Sequence, residues 1–109
     1  LRCKQRINRT GNHILVISMI QIILELHEVA SIKDKRGIVN SLKRKLQNKF
    51  KVSAAEVDLH QSRCFTQIGA VLVTNSRTHG ESVMNKVLAF VEDEVPGRIQ
   101  DVEIYSEYY

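Results

Sequence analysis

The sequence predicts one α+β domain whose four strands and two helices follow the order β-α-β-β-α-β. Three observations lead to this fold class. The chain has 109 residues, which is enough for one domain with its own core. Two segments show apolar residues at helical spacing behind a polar N-cap. Four other segments show the alternation, or the continuous apolar run, that is typical of strands.

The first strand is predicted from about Ile14 to Leu26, where apolar residues occupy both alternating sets of positions. A basic start followed by an apolar run also has the outline of a secretory signal peptide, with residues 29–31 as its cleavage region. Gln21 and Glu25 interrupt that apolar run. The run is also shorter than the stretch of about 18 apolar residues that a membrane span needs. A strand is therefore the favoured interpretation.

The first helix is predicted to begin after Ser31, an N-cap with Asp34 three residues on, and to continue to about Asn48. Gly37 inside it costs about 1 kcal/mol relative to alanine, which is compatible with close packing of a neighbour there. The apolar residues gather on one side of the helix, with Phe50 just beyond its end; they are Ile38, Val39, Leu42 and Leu46.

The second and third strands are predicted over residues 52–60 and 65–74. The third is apolar on both faces, which predicts a central position in the sheet. In the second strand an apolar and a charged set alternate, and we expect the charged set on the outer face of the sheet. These sets are Ala55, Val57 and Leu59, and Glu56, Asp58 and His60.

The second helix is predicted to open with a capping box at residues 78–81, and the last strand to run from Ile99 to Tyr105 after a break at Pro96-Gly97. Right-handed crossovers then place both helices on one face of a four-stranded antiparallel sheet, with the first and third strands in the middle. The buried stripe of this helix is Val83, Met84, Val87, Leu88 and Val91.

Charge is distributed unevenly along the chain. The formal net charge is +4, which is modest. Residues 1–12 carry four bases and no acid, and residues 33–51 carry eight bases and one acid. Residues 80–109 carry seven acids and two bases. The folded molecule should therefore be electrically polar.

Two motifs resemble the bacterial YlxP-like family of unknown function. Members share Ser-Leu-Lys-x-Lys-Arg at the start of the first helix and Phe-x-Val-Ser-x-Ala-Glu-Val on the second strand. Residues 31–36 read Ser-Ile-Lys-Asp-Lys-Arg, and residues 50–57 read Phe-Lys-Val-Ser-Ala-Ala-Glu-Val. The similarity extends over about residues 19–105. It departs from the family at Ile32, in the short connection before Ser31, and at residues 63–65, where a Trp-Gln-Arg triplet is usual.

The resemblance implies a ferredoxin-like βαββαβ sandwich and no established activity. Members are often encoded beside translation and ribosome-maturation genes, which implies ribosomal RNA or the small ribosomal subunit as a partner. Members also begin near residues 17–19. We therefore expect residues 1–12 to be a flexible basic extension of a domain over residues 13–109, or Met19 to be the native start.

The basic face of the first helix is the leading candidate for a nucleic-acid-binding or anion-binding site. Clustered bases bind phosphates by releasing counterions. Lys35 lies at the helix start, where backbone amide groups also favour anions. Together with Lys33 and Arg36 it would form a corner suited to a phosphate or a carboxylate. The alternative is a solvated face whose lysine stems cover apolar surface. The candidate residues are Lys33, Lys35, Arg36, Lys43 and Arg44.

The face of the sheet away from the helices is predicted to be apolar at its centre and acidic at its rim, with Phe65 as its aromatic residue. RNA-recognition sheets stack bases on aromatic residues of the two central strands. This face therefore favours self-association as a homodimer over RNA binding. Its predicted central residues are Leu15, Ile17, Ile23, Val71 and Val73.

The sequence gives little indication of a metal site or a catalytic site. Glu56, Asp58 and His60 lie at alternate positions of one strand, so they project in parallel instead of converging on a metal. No glycine-rich phosphate loop or paired nucleophile and base stands out, so we expect a non-enzymatic protein without cofactor or metal. Cys3 and Cys64 are far apart in the sequence, which is typical of free thiols in the reducing cytoplasm.

These observations favour a non-enzymatic RNA-binding or ribosome-associated accessory protein of small-subunit maturation or translation. The alternative is a homo-oligomeric regulatory module that binds an anionic small molecule or a protein partner at the Lys33–Arg36 corner. RNA binding would need the whole basic face and would weaken steeply with salt. A metabolite site would depend on Lys35 and Arg36 and would saturate at one ligand per chain.

Overall fold

A computed structural model describes residues 14–109, and the extension predicted over residues 1–12 lies outside them. The sheet order is β2-β3-β1-β4, with each neighbouring pair antiparallel, so β1 and β3 are central. This confirms the predicted ferredoxin-like βαββαβ topology. The elements are β1 (Val16–Leu26), α1 (Ile32–Phe50), β2 (Ser53–Asp58), β3 (Phe65–Thr74), α2 (Arg77–Glu94) and β4 (Gly97–Tyr108).

Both helices pack on one face of the sheet because β1, α1 and α2 each have a stripe of apolar residues that is buried between them. Alternate residues of β1 are buried throughout its length, and the residues between them are partly covered. α1 packs against β2, and α2 packs against β1 and β4. The helix residues of the core are each at most 3% exposed; they are Val39, Leu42 and Leu46 of α1 and Met84, Val87 and Val91 of α2.

α1 has a cap at each end. The Ser31 side chain accepts the N–H of Asp34 at 3.1 Å, which confirms the predicted N-cap. The helix continues to Phe50, two residues beyond the predicted end. It stops there because Lys51 adopts the left-handed conformation, with φ of 59°, and its N–H binds the carbonyl of Gln47.

α2 begins earlier than predicted, so the capping box proposed at residues 78–81 is wrong. Ser76 is the N-cap, and its side chain accepts the N–H of His79 at 3.2 Å. Glu81 does not reach back to the cap; its carboxylate lies 3.5 Å from Arg77 on the same side of the helix. Gly80, inside the predicted box, is buried in the first turns of the helix.

The two faces of β2 are the reverse of the prediction. Ala54 and Glu56 lie opposite the buried residues Ala70 and Ile68 of β3, so they face the helices. Val57 lies on the outer face and is 50% exposed. Alternation alone suggested the opposite because Ala55, Val57 and Leu59 form the apolar set and would be expected in the core. On the helix-facing side, Glu56 forms an ion pair with Lys35 of α1.

β1 and β4 are long partners at one side of the sheet. β1 begins at Val16 instead of Ile14, and β4 extends from Gly97 to Tyr108, beyond both predicted ends. Buried Ser18 and Ser106 share a hydrogen bond of 2.7 Å between their hydroxyl groups. Neither helix of residues 14–109 is long and apolar enough to cross a membrane.

Candidate nucleic-acid interface

The seven bases of α1 divide into three that are engaged within the fold and four that face solvent. Lys35 is buried in an ion pair. Lys45 pairs with Glu94 at the end of α2. The ammonium of Lys49 lies 5.6 Å from the ring centre of Phe90, a cation–π contact. The remaining bases are Lys33, Arg36, Lys43 and Arg44, which we call the basic strip.

The positive charges of the basic strip are not paired with acids of the described residues. Within residues 14–109 none of its four side chains forms an ion pair. Arg36 and Lys43 lie two turns apart on one side of the helix, and the strip from Lys33 to Arg44 is about 16 Å long. Lys43 is partly buried and the other three are exposed. The result is a row of positive charge on a convex surface.

Lys35 does not belong to this surface, although it was predicted to. Its side chain is 1% exposed, and its Nζ lies 3.1 Å from Oε2 of Glu56. Nζ also donates to the carbonyl of Leu59 at 2.5 Å. Its position in line with Val39 and Leu42 pointed to the core, not to an anion at the helix start. Lys35 thus joins α1 to β2 and to the connection that follows it.

The carboxylate of Glu56 is held in its charged form. Burial by itself raises the pKa of Glu56. Hydrogen bonds from Thr66 and Lys35, together with the positive charges of Lys35 and His60, outweigh burial and lower the pKa below its ordinary value of 4.5. The Thr66 hydroxyl donates to Oε2 at 2.5 Å. The ion pair therefore stabilises the fold above the ordinary pKa, and this stabilisation is lost as pH falls through the lower, folded-state pKa.

This sign gives a pH prediction. We expect the stability difference between the wild type and Glu56→Gln to be largest near pH 6 and to shrink as pH falls below 4.5, because protonated glutamic acid and glutamine are both neutral. Urea unfolding at several pH values between 6 and 3 measures it. Glu81→Gln, on the exposed surface of α2, is the control. A difference for Glu56→Gln that stays constant over this range would contradict the assignment.

A groove of about 620 Å³ runs between α1 and the end of α2. Gly37 forms part of its wall, and a Cβ there would meet nothing within 4 Å, so no neighbour packs closely against this glycine. The groove carries both signs of charge and therefore does not select anions. Its charged residues are Lys33 and Lys45, and Glu28, Asp34 and Glu94.

The outer face of the sheet, the surface that the helices leave uncovered, holds the five residues predicted for self-association. Met19 and Tyr105 join them there as directly paired neighbours on β1 and β4. Sequence reasoning did not include Tyr105, which is 47% exposed, because it lies on an edge strand. The predicted five are Leu15, Ile17, Ile23, Val71 and Val73.

The three residues considered as metal ligands, Glu56, Asp58 and His60, are separated by the fold. Glu56 turns towards α1, the Asp58 carboxylate accepts the N–H of Leu59 at 2.7 Å, and the His60 ring contacts the carbonyl of Glu56 at 3.1 Å. In the part of the chain that the structure describes, no group of three potential ligands converges. Cys64 is a partly buried free thiol.

Sequence comparisons match this chain to a protein family and to a bacterial relative. The family described as "Protein of unknown function (DUF503)" matches residues 17–104. Uncharacterized protein YlxP of Bacillus subtilis (strain 168) is 31% identical over 67 residues, which is 62% of this chain and 73% of the relative.

Two designed proteins are similar in structure. The solution NMR structure of the designed protein LFR1 1, with ferredoxin fold, has a TM-score of 0.45 and 8% identity over 85% of this chain and 83% of its own. The designed protein Ferredog-Diesel has a TM-score of 0.44 and 9% identity over 94% of this chain and 95% of its own.

Proposed function

The chain belongs to the DUF503 family of proteins of unknown function, and we propose that it binds RNA through the phosphate backbone, with the basic strip of α1 as its interface. The observation that carries this proposal is the set of four bases without an ion-pair partner among residues 14–109. When such Lys and Arg side chains neutralise RNA phosphates, counterions are released, and this release favours binding. The proposed context is ribosome-associated, in small-subunit maturation or translation, as the family resemblance implies.

The surface around the strip suits backbone contact better than base recognition. The strip lies on a convex helix and contains no aromatic side chain on which a base would stack. The outer face of the sheet is a poor alternative, because the exposed acids Asp101 and Glu103 line its β4 edge and repel phosphate. The proposed binding is therefore independent of sequence and sensitive to salt.

A small anionic ligand at the start of α1 has less support. Burial of Lys35 leaves only Lys33 and Arg36 at that corner, and the adjoining groove carries both signs of charge. Stoichiometry and the residues required distinguish this function from RNA binding. A corner site would saturate at one ligand per chain and would be insensitive to Lys43 and Arg44.

We expect single-stranded RNA affinity to fall with salt at a slope near −3 on a double-logarithmic plot, since each neutralised phosphate contributes about −0.7. Fluorescence anisotropy of a labelled unstructured oligonucleotide measures it. An alanine variant of the whole basic strip should abolish the slope while remaining folded, because alanine favours helix at exposed positions. A variant that removes the same number of bases elsewhere is the matched control; its changes are Arg63→Ala, Arg77→Ala, Lys86→Ala and Arg98→Ala.

Equal loss of binding in the strip variant and the matched control would show that net charge acts alone, and it would overturn the proposed interface. The ribosomal context has its own test. Wild type in a cell lysate should sediment with small-subunit particles at low salt, and the strip variant should remain at the top of the gradient. If both remain at the top under every condition, the ribosomal context fails even where the oligonucleotide binds.

A further inference from the structure

The outward edge of β4 is long and open. β4 has 12 residues, and within residues 14–109 it pairs with β1 alone. The N–H of Tyr109 donates to the carbonyl of Leu15 at 2.8 Å, so the odd-numbered residues at this end of β4 direct their backbone groups towards β1. Because alternate residues of a strand point opposite ways, the N–H groups of Ile104 and Ser106 point away from β1. Such an edge is a template for a further strand.

Three acids lie along this edge at odd-numbered positions, on the side of the sheet away from the helices. Asp101, Glu103 and Glu107 are exposed, and none of them forms an ion pair with another of the described residues. In the described structure their carboxylates accept hydrogen bonds from groups one or two positions further along the chain. The edge of β4 therefore combines open backbone groups with a row of unbalanced negative charge, which we call the acidic row.

A second copy of the chain is a poor partner for this edge. Two β4 strands paired edge to edge would bring one acidic row against the other, and like charges on neighbouring strands repel. β2, the other edge strand, has only six residues, and side chains already contact two of its carbonyls. Gln47 donates to the carbonyl of Ala54 at 3.3 Å, and the His60 ring contacts that of Glu56 at 3.1 Å. The charge of the β4 edge instead suits an extended basic segment.

The chain itself contains a basic segment of this kind, directly before the described residues. Arg2, Lys4 and Arg6 occupy alternate positions, and residues 1–13 contain no acid. In an extended strand, alternate side chains lie on one face. The three bases therefore repeat with the same period of two residues as the acidic row.

We propose that residues 2–9 bind along the outward edge of β4 as a fifth strand, parallel to β4. The register that matches the two charge patterns sets residues 2–9 beside residues 101–108. Lys4 then lies beside Glu103, with a further base and a further acid on either side of this pair. Opposite charges on neighbouring strands stabilise their pairing, and the N–H groups of Ile104 and Ser106 gain acceptors.

The length of the connection permits this arrangement. Leu15 lies beside Tyr109, and the outward side of β4 is two strand spacings from β1, about 10 Å. Residues 10–13 span up to about 13 Å when extended, so they can pass round the end of β4. They read Thr-Gly-Asn-His, and glycine and asparagine are residues that favour turns. β1 offers no alternative, because both of its sides are already paired.

Amide hydrogen exchange, followed by NMR on the full chain, tests the proposal at two groups. The N–H groups of Ile104 and Ser106 should exchange roughly tenfold or more slowly in the wild type than in a variant whose three segment bases are reversed, because the acidic row would repel that segment. Reversing the acidic row as well should restore the protection. The N–H of Tyr105 is the internal control, because Tyr105 pairs with β1 and should stay protected throughout. The base reversals are Arg2→Glu, Lys4→Glu and Arg6→Glu, and the acid reversals are Asp101→Lys, Glu103→Lys and Glu107→Lys.

A matched variant keeps the change in net charge and leaves the segment intact. It reverses three exposed bases elsewhere, Arg44→Glu, Arg63→Glu and Lys86→Glu, and exchange at Ile104 and Ser106 should equal that of the wild type. Circular dichroism confirms that each variant is folded. Equal exchange in the wild type and the segment variant, or equal acceleration in the matched variant, would overturn the proposal.

Disulfide formation tests the register and shows which chain supplies the segment. In a Cys3→Ser/Cys64→Ser background, Lys4→Cys and Glu103→Cys should form a disulfide within one chain, since neighbouring strands bring Cα atoms to about 4.8 Å. Lys4→Cys with Asp58→Cys, at the other edge of the sheet, should stay reduced. Equal yields for the two pairs would overturn the proposal, and so would a disulfide between two chains, because the segment would then occupy a second copy. These measurements contain no nucleic acid, so their outcome is independent of RNA binding.

Discussion

Replacement of Glu56 by alanine should lower the free energy of unfolding by about 3 kcal/mol or more. Its partner Lys35 is 1% exposed and would keep its charge away from water with no carboxylate to balance it. Thr66 would lose the acceptor of its hydroxyl as well. Urea unfolding measures the change, which should appear in the midpoint, with a slope close to that of the wild type.

The matched control is the second ion pair of α1. Lys45 and Glu94 have side chains that are 46% and 35% exposed, so water solvates whichever charge remains. Glu94→Ala should therefore cost less than about 1 kcal/mol. Similar losses for Glu94→Ala and Glu56→Ala would contradict the role assigned to burial.

A double replacement separates the cost of an unpaired charge from the value of the pair. In Lys35→Met/Glu56→Leu both charges are removed and the apolar stems remain, so most of the stability lost in Glu56→Ala should return. Failure of this variant to recover while remaining folded would mean that the lost hydrogen bonds of Leu59 and Thr66 offset the gain from removing both charges. Unfolding of Lys35→Met alone distinguishes the two contributions.

The topology was predictable because local signals determine it. The alternation in β1, the uninterrupted apolar run of β3 and the Ser31 cap each depend on neighbouring residues. The right-handed crossover rule then leaves few arrangements of six elements. The observed element ends differ from the predicted ones by a few residues, as with the N-cap of α2 at Ser76.

The site was only partly predictable because it depends on contacts between distant residues. Lys35 and Glu56 lie on different elements, and the alternation of β2 does not reveal which of its faces is buried. A usable signal was present: a lysine in line with the apolar stripe of α1 needs a buried acceptor, and Glu56 is the acid of the neighbouring strand. Placing Lys35 inside leaves four of the five candidate residues on the surface of α1, and the same inference would have turned β2 to its observed orientation.

The two glycines inside helices should respond in opposite ways to the same substitution. Gly37→Ala should raise the free energy of unfolding by up to about 1 kcal/mol, since alanine is the better helix former and a Cβ there would meet nothing within 4 Å. Gly80→Ala should lower it by about 1–3 kcal/mol. A Cβ at Gly80 would overlap Oγ of Ser18 and lie 2.9 Å from its Cβ.

The overlap between an added Cβ at Gly80 and the Ser18 side chain is difficult to relieve, because Ser18 can hardly move. Its hydroxyl is hydrogen-bonded to Ser106 at 2.7 Å, both serines are buried, and its backbone belongs to central strand β1. The added methyl group must therefore lift α2 from the sheet or break the serine pair, and the second course leaves buried hydroxyls without partners. Urea midpoints of the two variants, compared at equal slope, measure both effects. A stabilised Gly80→Ala would mean that α2 does not pack this closely on β1, and a destabilised Gly37→Ala would mean that the groove wall is occupied by another part of the protein.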